Sequence, residues 1–301
     1  MKLKYLKLSF CYLITFLYAE NFNESITFEA LSKDLATDHV LVFDELFKLI
    51  PMPHLLELGC SKSSTYFAKN CKNLLTHELT VKDRFNFAMP WFLKANKDLK
   101  PNLLNWNLEL YIFNESVNRA NNIAIEGKNP ELFDKQYLNE IRNFFNKICT
   151  DNIFDIIFID PGIHIRGDFV NEAFNRSDII VAHDTNFNPH IYGWTKIKAP
   201  SNYTKIHFNY GSGTSIWVKN ERIELINELK AKLQSKECEL KLQPHIPTQS
   251  PQETVNNKQT SIIKEIYERH FTIDSSEQEV DTEKLQTSLW EQLSSTDDTS
   301  N

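Results

Sequence analysis

Glycine is scarce in this chain, with 7 residues among 301. Each Gly that stands in a turn is therefore informative, because it marks a place where the backbone needs unusual freedom. No Gly-x-Gly-x-x-Gly run occurs, which counts against a nicotinamide dinucleotide turn and the oxidoreductases built on one. Cysteine is thin as well. Cys11, Cys60, Cys71, Cys149 and Cys238 are widely spaced, with no CxxC pair and no Cys/His ligand spacing. Neither a zinc site nor a disulfide scaffold is expected. Basic residues are the minority, 33 Lys and Arg against 40 Asp and Glu, for a net charge of −7. A dominant nucleic-acid-binding surface is not expected from that balance. No internal repeat is visible.

The apolar run over residues 8–19 (LSFCYLITFLYA) follows a basic start at Lys2, Lys4 and Lys7. It has the length of a signal-peptide core and is too short to span a bilayer comfortably. Ala19 suits the position before a cleavage point, while Leu17 is larger than the usual small residue. The expectation is an exported or membrane-anchored chain whose only membrane contact is through residues 1–19. The alternative is an N-terminal strand or helix packed on the domain of a cytoplasmic protein.

Past this segment the chain alternates helical and extended patterns. Leu41, Phe43, Leu46, Phe47 and Ile50 recur at helical spacing, and Pro51 and Pro53 stop that helix. HLLELG then reads as a strand, and Ser63 or Ser64 as the cap of a following helix, TYFAKNCKNL. LLTHEL is the second strand and LELYIF (108–113) the third, with Asn114 and Glu115 at its end, placed to contact a ligand's base. Residues 81–99 carry Phe85, Phe87, Trp91 and Phe92 and read as a helix or lid, with aromatic residues serving the core. PELFDKQYLNEIRNFFNKIC (130–149) is an amphipathic helix with Leu132, Leu138, Ile141, Phe145 and Ile148 on one stripe. FDIIFID (154–160) and SDIIVA (177–182) are nearly all apolar, as central parallel strands covered on both faces are. A short helix over 169–175 lies between them. YTKIHFN and TSIWVK, joined by Tyr210-Gly211-Ser212-Gly213, form a hairpin. A charged helix over 221–242 with an Ile226, Leu229, Leu233 stripe follows. Residues 243–301 turn to Pro, Gln, Ser, Thr and Asn and read as a largely disordered tail with one short amphipathic piece at 261–271.

Polar residues collect where these strands end. Glu57 and Gly59 end the first, and Glu78 ends the second, 78−59 = 19 residues after the glycine. That spacing is close to the one between a glycine turn and a ribose-binding acid. Asp160 ends the fourth strand, with Gly162 and His164 just beyond, and His183-Asp184-Thr185 ends the fifth. Such convergence at strand C-termini is what a binding site needs. The competing reading is that Asp160 and Asp184 only cap turns.

Over roughly residues 40–220 this pattern resembles the class I S-adenosylmethionine-dependent methyltransferases. Glu57-Leu58-Gly59-Cys60-Ser61-Lys62-Ser63 is similar to their acid-x-Gly-x-Gly-x-Gly turn, with the acid and first Gly kept and Ser61 and Ser63 at the other two Gly positions. The usual Gly-Gly before the fifth strand is replaced by Asn175-Arg176-Ser177-Asp178. The closing hairpin resembles the antiparallel sixth and seventh strands of that fold.

The resemblance implies a three-layer α/β/α sandwich with a mostly parallel seven-stranded sheet over 20–220. It implies S-adenosylmethionine held by Glu57, Gly59, Ser61, Ser63, Glu78 and Asp160, and catalysis by Asp160, His164 and Asp184. Some relatives bind a divalent metal after the fourth and fifth strands, so Asp160 and Asp184 are implied ligands for Mg²⁺. The expected activity is methyl transfer to a small-molecule or sugar-like acceptor. The alternative is a methyltransferase-like binding or effector protein without catalysis.

Overall fold

A computed structural model describes residues 27–242 apart from 86–87, 89–91, 94, 97–102 and 151–152. The apolar run at 8–19 and the polar segment 243–301, with its piece at 261–271, lie outside the described residues. The chain divides into two units, 1–240 and 241–301.

Seven strands form one sheet within the first unit: β1 (His54–Leu58), β2 (Asn73–Thr80), β3 (Trp106–Ile112), β4 (Ile156–Ile159), β5 (Ile179–His183), β6 (Tyr203–Phe208) and β7 (Thr214–Lys219). Their order is β3-β2-β1-β4-β5-β7-β6. The first five are parallel, and β7 inserts antiparallel between β5 and β6. Among the described residues, the helices include α1 (Phe28–Lys33), α2 (Val40–Leu49), α3 (Ser63–Asn70), α4 (Glu115–Ile125), α5 (Gln136–Cys149), α6 (Arg166–Ala173) and α7 (Ile223–Leu242).

The apolar strands explain the layering. Side chains alternate faces along a strand, and the central strands bury both faces. Leu55, Ile156, Phe158, Ile179 and Val181 pack with α2, α3 and α7 on one side. Leu56, Leu58, Ile157, Ile159, Ile180 and Ala182 pack with α4, α5 and α6 on the other. This is the three-layer α/β/α sandwich expected from the sequence. Ile226, Leu229 and Leu233 are buried, as their stripe implies.

Local differences have local causes. The amphipathic segment at 130–149 splits: Pro130–Leu132 is a 3₁₀ turn capped by Asn129, and the helix starts only at Gln136. Leu132 accordingly leaves the stripe and is 80% exposed. Asn114 caps α4, its Oδ1 accepting from Ser116 N at 2.8 Å. The helix after the first turn begins at Ser63 with Lys62 in the cap position, and neither Ser63 nor Ser64 caps it. Their hydroxyls are engaged elsewhere. Residues 81–99, where described, begin with a 3₁₀ turn at Lys82–Arg84.

Candidate functional site

The parallel strands all point their C-terminal ends to one edge, so Glu57, Gly59, Glu78, Asp160 and Asp184 reach the same rim of the sheet. Gly59 has φ +104°, and a Cβ there would overlap the carbonyl oxygen of Asp160. Only Gly lets the β1 turn lie against the end of β4.

Glu57 is fully buried and faces inward. The parallel register sets it beside Thr76, whose hydroxyl donates to Oε2 at 2.6 Å, while Ser64 Oγ donates to Oε1 at 2.9 Å. Trp106 Nε1 in turn donates to Thr76 Oγ1 at 2.8 Å. Burial raises the Glu57 pKa to about 8 despite the two hydroxyl donors. Glu57 therefore anchors the turn from beneath, with each carboxylate oxygen engaged inside the protein.

Glu78 lies two residues before the end of β2, which runs on to Thr80 rather than ending at the glutamate, and turns toward the same turn. Its Oε2 accepts from Cys60 N at 2.6 Å, and its Oε1 faces Gly162, where a Cβ would lie 4.0 Å away. Burial lifts its pKa to about 8, partly offset by the Cys60 N–H. The serines of the turn bond largely among themselves. Ser61 N donates to Ser64 Oγ at 3.0 Å and Ser63 N to Ser61 Oγ at 3.2 Å, and the hydroxyls of Ser61 and Ser63 are 2.5 Å apart. His39, just ahead of α2, shares a hydrogen bond of 2.8 Å with Ser63 Oγ through Nε2.

Asp160 and Asp184 are brought together through a residue that the sequence pattern did not single out. Arg166, in the first turn of α6, donates through one nitrogen, Nη1, to Asp160 Oδ1 at 2.6 Å and to Asp184 Oδ2 at 2.7 Å. Its Nε donates to Pro161 O at 3.0 Å, and its guanidinium lies 4.5 Å from the centre of the Tyr192 ring. Asp184 has φ +62°, a left-handed conformation that Asp tolerates better than most residues.

His183 closes the cluster from below. Its Nδ1 is 3.3 Å from Asp160 Oδ2, and its Nε2 is 2.7 Å from Asp38 Oδ1. Ser212 ties the hairpin in: its N donates to Asp38 Oδ2 at 2.9 Å, and its hydroxyl lies 2.5 Å from His183 Nε2. Burial alone would lower the His183 pKa. The carboxylates of Asp160 and Asp184 and the bonds from Asp160 and Asp38 overcome that and raise it to about 10. His39 sits edge-on to His183 with ring centres 4.3 Å apart. There burial and His183 drive its pKa well below the usual imidazole range. His39, Asp160 and His183 are close enough together to share a metal ion. Both ring nitrogens of His183 already face carboxylates, however, so a proton serves there.

His164 stands to one side. Its backbone N–H donates to Asn121 Oδ1 at 2.8 Å, and its ring stacks on Tyr192 at 5.6 Å. Burial, with Arg84 and Arg166 adding to it, lowers its pKa to about 4. It is neutral at ordinary pH. Next to it a cavity of about 240 Å³ is lined by Ala124, Gly127, Ile165, His190, Gly193 and Lys196 among others.

Of the residues singled out from sequence, Glu57, Gly59, Ser61, Ser63, Glu78, Asp160 and Asp184 gather at one rim. Sequence reasoning missed Arg166, Asp38 and Ser212. Arg166 carried the weak signal of a lone basic residue six positions past a strand-ending Asp. Asp38 carried none.

No family model matches the chain, and no curated protein does. Among solved structures it is similar to a candidate caffeoyl-CoA O-methyltransferase from Staphylococcus aureus, at 17% identity and a TM-score of 0.37, covering 70% of this chain and 99% of that one. It is also similar to a methyltransferase from Geobacter sulfurreducens, at 14% identity and a TM-score of 0.36, over 69% of this chain and 95% of that one. A third, the SAH-bound methyltransferase of Podospora anserina, has 12% identity and a TM-score of 0.34, over 60% of this chain and 76% of that one.

Proposed function

We propose that this chain is an S-adenosylmethionine-dependent methyltransferase acting on a small-molecule or sugar-like acceptor. The observation that carries the reading is Glu78. It is a buried carboxylate near the C-terminal end of β2, holding the Gly59 turn through Cys60 N–H and turning its second oxygen toward Gly162. The donor set fits the ribose end of the cofactor, because a carboxylate oxygen accepts hydroxyl hydrogens. When bound, the cofactor supplies an electrophilic methyl group.

The chain's own residues then have distinct tasks. Glu78 holds the ribose hydroxyls, and the turn at Gly59 to Ser61 backs the amino-acid portion. Glu57 keeps that turn in place from within the core. The acceptor's place is the rim over Asp160, His164 and Asp184, with the neutral His164 imidazole, stacked on Tyr192, at its side. With a pKa near 4, His164 orients an acceptor hydroxyl or amine by accepting its hydrogen bond and is a weak base. Most of the rate enhancement then comes from holding two reactants in line.

Calorimetric titration of the chain with S-adenosylmethionine and with S-adenosylhomocysteine tests this. Binding by wild type and its loss in Glu78→Ala are expected. No binding by folded wild type would end the proposal, and unchanged binding by the variant would end the role of Glu78.

A second reading, a binding or effector protein on the same scaffold without catalysis, is favoured by one observation. The N–H groups of Ser61 and Ser63 are already satisfied by serine hydroxyls, where glycines would leave them to a ligand. Methyl transfer to any acceptor in a small-molecule extract would count against it.

A further inference from the structure

The metal implied by the resemblance does not fit the site as built. A divalent ion joining Asp160 and Asp184 would have to stand between their oxygens. Arg166 Nη1 stands there, within 2.7 Å of one oxygen from each. We propose that Arg166 is the permanent cation of this site, standing in for a divalent ion, and that its removal turns Asp160 and Asp184 into a divalent-cation site.

Four contacts make the guanidinium a fixture. Pro161 O accepts from Nε, the Tyr192 ring covers one face, and the two carboxylates accept from Nη1. The residue is 7% exposed. The loop from Asp160 to α6 is short, and Arg166 opens that helix, so its reach back to the strand end is set by the fold. Arg suits the place better than Lys, since its planar fork can bond two carboxylates and a carbonyl while stacking on an aromatic ring. Without it, two part-buried carboxylates would lie close together beside His183 with their main counter-charge gone. Such a pair either takes up a proton or recruits a cation. Hard oxygen ligands with room for water suit Mg²⁺ or Mn²⁺. Arg166 is in this sense a positioning residue: it fixes both carboxylates at the rim.

The test uses the full chain and Mn²⁺ alone, followed by calorimetry and by the paramagnetic resonance of free Mn²⁺. Wild type is expected to bind no Mn²⁺ and to keep its melting temperature after dialysis against EDTA. Arg166→Ala is expected to gain Mn²⁺ binding that wild type lacks and to be thermally stabilised by the ion. Arg166→Lys is expected to gain none, and Arg166→Ala with Asp184→Asn is expected to lose the gain. If Arg166→Ala is unfolded alone, Mn²⁺ should restore its fold. Mn²⁺ binding by wild type overturns the proposal. So does a folded Arg166→Ala without binding, or an unfolded one that Mn²⁺ does not rescue. The measurement needs neither cofactor nor acceptor, so it stands or fails apart from the methyl-transfer reading.

Discussion

His183 and Asp38 stand 145 positions apart in the chain and meet at 2.7 Å, both nearly inaccessible to solvent. The contact joins the end of β5 to the segment ahead of α2, and Ser212 of the β6–β7 turn bonds to both. Losing one partner of a buried charge pair leaves the other uncompensated, at a cost of about 3–5 kcal/mol. Asp38→Ala should therefore lower stability by that order in urea unfolding. A variant as stable as wild type would show that His183 is held by Asp160 alone.

The same pair sets a pH dependence. The folded pKa of His183, about 10, lies above the ordinary 6.5 of an imidazole. Its stabilising contribution is fully present below 6.5 and is lost as pH rises through about 10. His164 runs the other way: its folded pKa near 4 means that its contribution is present above 6.5 and is lost as pH falls toward 4. Long-range proton–nitrogen spectra should show His183 as an imidazolium and His164 as a neutral ring together at about pH 7. Titration of His183 near 6.5 would contradict its place between Asp38 and Asp160.

Glu57 offers a test inside the core. Its pKa of about 8 is raised above the ordinary 4.5 by burial. The folded state favours the protonated form, so the contribution is present below 4.5 and is lost as pH rises through 8. Glu57→Gln removes the ionisation while keeping the shape. The advantage of wild type over this variant in melting temperature should shrink between about pH 5 and about pH 8. A constant difference would mean that Glu57 ionises in the usual carboxylate range.

Two glycines with left-handed backbones should respond differently to the same change. Gly59→Ala drives a methyl into the Asp160 carbonyl, with backbone on both sides unable to give way. A loss above about 4 kcal/mol or failure to fold is expected. Gly127 also has positive φ, +73°, but nothing lies within 4 Å of its added Cβ. There Ala should cost about 1–2 kcal/mol, the conformational term alone. Equal costs at the two sites, measured by urea unfolding, would remove the packing argument for Gly59.

The order of strands and helices was largely legible because apolar periodicity is a local property. FDIIFID and SDIIVA name themselves as buried parallel strands, the hairpin is marked by Gly211 and Gly213, and the stripe on α7 follows from its spacing. Boundaries were less legible where a polar side chain had better work elsewhere. Ser64 reads as a helix cap and instead bonds Glu57, because the register of β1 places that carboxylate beneath it. Glu115–Ile125 escaped notice as a helix: its sequence, ESVNRANNIAI, is poor in strong apolar residues.

The sequence by itself determined which residues reach the rim. Strand ends are encoded locally, and parallel strands deliver their ends to one edge. What stands between those residues was decided only by the tertiary structure. Arg166 reaches Asp160 and Asp184 because the short loop after β4 folds α6 back over the sheet edge. Asp38 reaches His183 because α2 packs on one face of the sheet. Both placements depend on long-range packing, which no spacing in the chain records. They turn a pair of acidic strand ends that reads as a metal site into a carboxylate pair with its own cation.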